Sequence, residues 1–278
     1  MVSTNAILDA LALEPIGEDR YRAPNVDTGH GVVFGGQLMA QSIVAGAIGH
    51  EGKTAKTLHT VFARAAEPGD PVDIAVERVH AGRALASATV TISQGERVCT
   101  RSMVLLSAEE PDLIRHGEER AGLEPPAPTS GSGEWENRIV GEVDISAPDL
   151  VGPPELEVWT RFEGAPEGDP IVSQALLAFS TDGFLIGTAM RPHRGVGQAQ
   201  AHVTLSTGVL SHTLTFHELF SAARWLLLAH RSTHAGHGRS YGRAEVFDTA
   251  GKLVASFVQD AMIRAMASRQ PGAGTASL

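Results

Sequence analysis

The sequence predicts an α+β protein built as two tandem copies of one unit, an antiparallel sheet wrapped around a long central helix. Three observations carry this. Val33 to Gly49 opens on Gly35 and Gly36 and then places Leu38, Met39, Ile43, Val44 and Ile48 on no single side. A helix that is apolar all round has no solvent face and is buried, and Ala40, Ala45, Gly46 and Ala47 keep it thin enough for a sheet to approach closely. The segments after it have strand composition. Finally, the halves match: Arg83, Val90, Gly95 and Val98 recur as Arg239, Val246, Gly251 and Val254, each 156 positions later. His59 to Phe62 recurs as His217 to Phe220 at an offset of 158, and His80-Ala81-Gly82 as His234-Ala235-Gly236 at 154. An ordered series at nearly constant spacing is a duplication, and two such sheets can pair edge to edge, covering their open edges.

In chain order, Asn5 to Leu13 reads as a short amphipathic helix with Ile7, Leu8 and Leu11 on one side and Ser3 or Asn5 as cap. Glu14 to Val33 is loop with a strand near Tyr21. Strands follow at 57–65, 72–79, 85–93 and 97–106, with Gln94-Gly95 as a hairpin turn. Residues 108–134 change character: seven acidic side chains, the Pro-rich 124–128 and the Gly/Ser-rich 129–133 make a linker. The pattern then returns, with a strand at 155–162, a second long apolar helix at 171–190, and strands at 202–216, 224–230, 239–247 and 252–264. The expected organisation is a first repeat at 1–107, the linker at 108–134, a second repeat at 135–266 and a flexible Gly/Ser-rich tail at 267–278.

Composition narrows the function classes. At 278 residues the chain suits one large domain or two of about 100–150 residues each. A formal charge of −10 argues against a nucleic-acid surface, which needs a basic stripe. Cys99 is the one cysteine, which excludes an intramolecular disulfide and fits a reducing compartment. Residues 1–20 lack a signal-peptide pattern, and no run of 18 or more apolar residues appears, so no membrane span is expected. A cytoplasmic location is the expectation.

Several motifs compete for the chemistry. Gly238-Arg239-Ser240-Tyr241-Gly242 matches a nucleophile elbow, but that motif needs a following helix and a later histidine, whereas 243–247 reads as strand and His237 is the last histidine. His212, His217, His230, His234 and His237 lack the spacing and the Cys partner of a zinc site. Gly29-His30-Gly31 is an incomplete dinucleotide loop. No metal and no cofactor are expected.

The remaining motifs carry a family likeness. Val33-Phe34-Gly35-Gly36-Gln37, Leu58-His59 and Val76-Glu77-Arg78 resemble the first half of type II (TesB-like) acyl-CoA thioesterases. Thr181 to Leu185, Arg191-Pro192-His193, His212 to His217, Trp225-Leu226-Leu227 and Val254 to Arg264 resemble the second half. The resemblance implies a double hot-dog fold and hydrolysis of acyl-CoA to fatty acid and CoA. It also implies a catalytic set of an aspartate at the start of the second central helix, a Ser or Thr on a strand, and a glutamine near the end of the last strand. The aspartate carries over to Asp182 and the glutamine to Gln259; the hydroxyl position falls on Val209, and the aspartate before the histidine is Ser211. The expected partner is acyl-CoA, with no nucleic acid and with assembly into a homo-oligomer.

The residues have readings of their own. Asp182, placed at or just after the first turn of a buried helix, is either an N-cap or a base facing a cleft. The helix dipole would favour its charge by about 0.3–1 kcal/mol, and burial would oppose it. Period-two alternation puts Gln259 on the face of Leu253, Ala255, Phe257, Ala261 and Ile263, making it a lone buried amide that needs partners. Those are either backbone or a water shared with Asp182. At an offset of 156 the first half has Met103 there, and the counterpart of Asp182 falls near Gly35-Gly36, so the first half lacks the polar set. Thr207 and Ser211, each about 6–7 Å from Val209 along the strand, are the hydroxyls expected on its face. Gly35 and Gly36 either donate N–H groups to an oxyanion or serve tight packing. An acyl-CoA binding or sensing module with lost hydrolysis is the alternative function; a hot-dog hydratase would need a catalytic His pair, and only His30 is near the first helix.

Overall fold

The computed structural model describes residues 2–29, 31–127, 131 and 133–266. The expected tail at 267–278 and His30 lie outside the described residues. After the short helix α1 (Thr4–Leu11), capped by the Ser3 hydroxyl, come β1 (Glu14–Gly17) and β2 (Arg20–Ala23). The first repeat continues with α2 (Gly35–Ala47), β3 (Lys53–Phe62), β4 (Val72–Ala81), β5 (Leu85–Gln94) and β6 (Arg97–Ala108). The second holds β7 (Trp135–Ile139), β8 (Glu155–Phe162), α3 (Pro170–Thr181), α4 (Leu185–Met190), β9 (Leu205–Phe216), β10 (Leu226–Gly236), β11 (Arg239–Phe247) and β12 (Leu253–Ala265).

All the described strands form one antiparallel sheet in the order β1-β2-β4-β5-β6-β3-β9-β12-β11-β10-β8-β7. The seam between the repeats is the β3–β9 pair, running from Thr57↔Thr215 to Val61↔Ser211. Edge strands that would template association are thus used internally. The sheet wraps both central helices, which is the double hot-dog architecture. Between 108 and 134 the described chain touches the body through a bridge from Glu119 to Lys252 and a hydrogen bond from the Arg120 N–H to the Gly251 carbonyl.

The helices α2 and α3 lie antiparallel at the centre: Gly35 and Gly36 at the start of α2 meet Asp182 and Phe179 at the end of α3. Both are buried nearly all round, as their composition requires. Arg78 holds the other end of α2, donating to the Ile48 carbonyl at 2.9 Å while pairing with Asp19 at 2.7 Å.

The second apolar helix departs from expectation. The run 171–190 is two helices, α3 and α4, broken at Asp182, Gly183 and Phe184. Gly183 costs about 1 kcal/mol in a helix interior, and Asp182 directs its carboxylate sideways to α2. The N-cap of α3 is Asp169, which accepts from the Val172 N–H at 3.0 Å, with Pro170 in the first turn where its missing N–H is harmless. Asp182 therefore ends a helix instead of beginning one. The stretch 170–190 has the length and hydropathy of a membrane span, but its most apolar 18-residue window is 67% buried inside this protein.

The registers correct the alignment of the two halves. Each seam strand bulges once against its inner neighbour, between Ala55 and Thr57 on β3 and between Val209 and Ser211 on β9. Superposing the bulged residues Lys56 and Leu210 makes Leu58 the counterpart of His212. Cross-strand pairing then makes Val104 the counterpart of Gln259. Met103, the residue picked by the 156 offset, points outward and is 63% exposed. On the helices, matching the starts Gly35 and Pro170 brings Ala47 opposite Asp182, not Gly35-Gly36.

Candidate active site

Asp182 is the focus. Its Oδ2 accepts from the Gly36 N–H at 3.1 Å, so it caps α2 across the helix interface. Its Oδ1 is shielded from solvent and has no protein partner among the described residues. Burial pushes its pKa up to about 7, opposed by the N–H groups of Gly36 and Gly35. Two dipoles act on it in opposite senses: the positive N-terminus of α2 favours the carboxylate and the negative C-terminus of α3 does not. A carboxyl with a pKa near neutrality is more basic than an ordinary carboxylate and still largely ionised just above pH 7, which suits a general base.

The glycines explain how the carboxylate gets so close. A Cβ on Gly35 would stand 2.8 Å from Asp182 Oδ2 and 2.9 Å from the Phe62 ring, and one on Gly36 would run into the Phe179 carbonyl. Close packing is thus their observed role. The expected oxyanion role for Gly36 conflicts with this geometry, because its N–H is already given to Asp182.

Gln259 is buried (2% exposed) on the inner face of β12, beside Phe257 and Ala261. Its Oε1 lies 3.2 Å from Nδ1 of His212, its direct cross-strand neighbour, and its Nε2 has no protein partner among the described residues. The His212 Nε2 in turn lies 3.2 Å from the Oγ1 of Thr181, the residue before Asp182. A chain of side chains therefore runs from the amide to the residue adjoining the carboxylate. Burial lowers the pKa of His212 to about 4, so the ring is neutral. His230 is likewise buried and lowered to about 4, packing its ring against Phe184 and Phe257. Sequence periodicity sees only neighbours along one strand, so the His212–Gln259 contact was not readable from it.

The hydroxyl candidates separate. Val209 pairs with Ala261 and Thr207 with Ile263, so both share the face of Gln259. Ser211 pairs with Asp260 on the outer face and donates to its Oδ2 at 3.2 Å. The bulge at Leu210 reverses the alternation, which overturns the expectation that Ser211 flanks Val209. Thr207 is buried on the inner face.

At the opposite end of the helix pair, a cleft of about 1000 Å³ is lined by Ala47, Lys53, Ala55, Pro170, Gln174 and Phe216 among others. It is the pseudo-symmetric mate of the Asp182 end. There Ala47 replaces the carboxylate, and the Gln174 side chain both accepts from the Ala55 N–H at 2.9 Å and donates to its carbonyl at 2.8 Å. Among the described residues the Asp182–His212–Gln259 set has no counterpart at that end. Ser240 of the elbow-like motif is buried within strand β11, which excludes an exposed nucleophile on a turn.

Comparison with known proteins agrees with this architecture. Residues 22–107 match the family model of the acyl-CoA thioesterase N-terminal domain, and 114–263 that of the C-terminal domain. Acyl-CoA thioesterase 2 of Haemophilus influenzae is 26% identical over 286 residues, covering 94% of this chain and 97% of that protein. Mouse acyl-coenzyme A thioesterase 8 is 26% identical over 289 residues, covering 93% and 88%. Among solved structures, the acyl-CoA thioesterase II TesB2 of Mycobacterium marinum superposes with a TM-score of 0.78 at 28% identity, over 96% of this chain and all (100%) of that one. Matched along both halves, the chain belongs to the acyl-CoA thioesterase family of thioester hydrolases.

Proposed function

We propose that the chain hydrolyses acyl-CoA to free fatty acid and CoA with Asp182 as general base. The observation that carries this is that Asp182 Oδ1 and Gln259 Nε2 are buried with no protein partner among the described residues, while His212 links Gln259 to Thr181, the chain neighbour of Asp182. Buried polar atoms are ordinarily paired, and on this reading one water molecule serves both. Asp182 takes a proton from that water as its oxygen attacks the thioester carbonyl carbon. The tetrahedral intermediate then expels CoA as a thiolate. A thiol of pKa near 8.5 leaves without a strong general acid, and the proton on Asp182 returns to solvent or to the thiolate. Gln259 orients the water through its amide N–H. Thr207 is the hydroxyl nearest in sequence to Val209 on that face.

A second reading, an acyl-CoA binding or sensing protein, is favoured by one observation: Val209 stands at the hydroxyl position and cannot hold water. Thiol release from a panel of acyl-CoAs, run beside Asp182→Asn, decides between them. Multiple turnovers lost in the variant support the hydrolase; tight binding without release supports the sensor. An acyl-CoA substrate and a lone buried thiol, Cys99, fit a cytoplasmic site of action. Exposed Val61, Leu85, Met103 and Leu105 on the outside of the sheet support a homo-oligomer, which sedimentation tests.

A further inference from the structure

We infer that His212 is a positioning residue: its Nδ1–H fixes the Gln259 amide so that the NH2 end, and not the carbonyl, faces the reacting water. This rests on the hydrolase reading above. The argument is a count of protons. The Gln259 Oε1 is an acceptor, so the nitrogen 3.2 Å from it, His212 Nδ1, must carry hydrogen. A neutral imidazole carries one N–H, which leaves Nε2 as an acceptor and makes the Thr181 hydroxyl at 3.2 Å its donor. The same hydroxyl donates to the Ala178 carbonyl at 2.9 Å, so in the Nδ1–H tautomer its one proton is shared between that carbonyl and His212 Nε2. With the opposite tautomer the amide would turn over, presenting a carbonyl where the water oxygen needs a donor. The ring is held in plane by stacking on Phe257, with centroids 5.2 Å apart, and is 1% exposed.

Burial also limits what His212 can be. Exclusion from solvent keeps the ring neutral well below physiological pH, so it neither takes the proton from water nor changes state over the working range. It is a fixed prop with a defined tautomer, whose effect is exerted through Gln259. The pseudo-symmetric counterpart supplies a test that preserves the fold. The first repeat has Leu58, fully buried (0% exposed), in the place of His212, beside Val104 in the place of Gln259. A leucine is therefore a shape this architecture already accommodates.

The experiment compares wild type, His212→Leu and His212→Asn on one acyl-CoA that wild type turns over. Asparagine places an N–H near the position of Nδ1. The expected result is a kcat about 10- to 100-fold lower in His212→Leu, the loss of one hydrogen bond, with KM within about threefold and most of the rate recovered in His212→Asn. Nitrogen NMR of the imidazole in wild type should show a neutral, Nδ1-protonated ring from pH 8 to pH 5. Wild-type kcat in a folded His212→Leu, an Nε2-protonated ring, or a His212→Asn as slow as His212→Leu would each overturn the assignment. Failure of the underlying reading looks different: wild type itself then releases no thiol, while the tautomer still tests the hydrogen-bond assignment.

Discussion

Asp182 caps a helix to which it does not belong. Its carboxylate accepts from the Gly36 N–H, 146 positions earlier, and in doing so ties the end of one central helix to the beginning of the other. Burial raises the pKa of the carboxylate, this contact opposes that rise, and the same contact joins the two helices; the predictions begin there.

The pH dependence follows from the raised pKa. With Asp182 as base, kcat/KM falls as pH drops through about 7, well above the ordinary carboxylate range. A rate profile flat from pH 8 to pH 5 would remove Asp182 from that role.

The same shift has a stability consequence of defined sign. Between about pH 4 and pH 7 the folded chain keeps a proton that the unfolded chain has lost, so this contribution is present at low pH and lost as pH rises through about 7. Asp182→Asn, permanently neutral and still able to accept from Gly36, should raise Tm at pH 8, with a gain that shrinks toward pH 4. A Tm lowered at pH 8 would contradict it.

The two glycines should respond differently to a methyl group. Gly36→Ala meets the Phe179 backbone, which cannot yield, and should cost about 3 kcal/mol, the upper part of the usual range for core overpacking. Gly35→Ala meets the Asp182 side chain and the Phe62 ring, which can shift. It should lose more activity than stability. Paired melting and turnover measurements separate the two.

Val209, Thr207 and Ser211 form a series. Val209→Thr, nearly isosteric and on the face of Gln259, should raise kcat by about tenfold, the worth of one hydrogen bond. Thr207→Val should lower it several-fold, and Ser211→Ala, on the outer face, should leave it unchanged. An effect of Ser211→Ala larger than that of Thr207→Val would contradict the bulge-based assignment of faces.

Arg78→Met tests the far end of α2. It removes a donor to the Ile48 carbonyl and the partner of Asp19, both about one third exposed, and should destabilise by about 1–2 kcal/mol. Because Arg78 lies away from Asp182, kcat should stay at the wild-type level; chemical denaturation and turnover assays check both parts.

The duplicated architecture was legible because α2 is apolar on every side and because matched residues recur in order. Gln259 facing inward followed from alternation along β12. What escaped the sequence has local causes. One extra residue at Leu210 exchanges the faces of β9, which alternation cannot anticipate. The break after Thr181 falls in the run Ser180-Thr181-Asp182-Gly183, whose polar and turn-forming residues are short enough to be lost between the apolar segments on either side, so composition showed one helix where the chain makes two. An offset of 156 lands on Met103 in place of Val104 because counterparts paired by register stand 154 positions apart on one strand pair (Leu58 and His212) and 155 on the next (Val104 and Gln259).

Joining both repeats in one chain has a genetic consequence. In an assembly of two identical short chains, every substitution appears twice, so a change that ruins one site ruins its twin. Here Ala47, Leu58 and Val104 are inherited separately from Asp182, His212 and Gln259. Drift at the apolar end leaves the end that carries the polar residues untouched, and each can be shaped by its own selection.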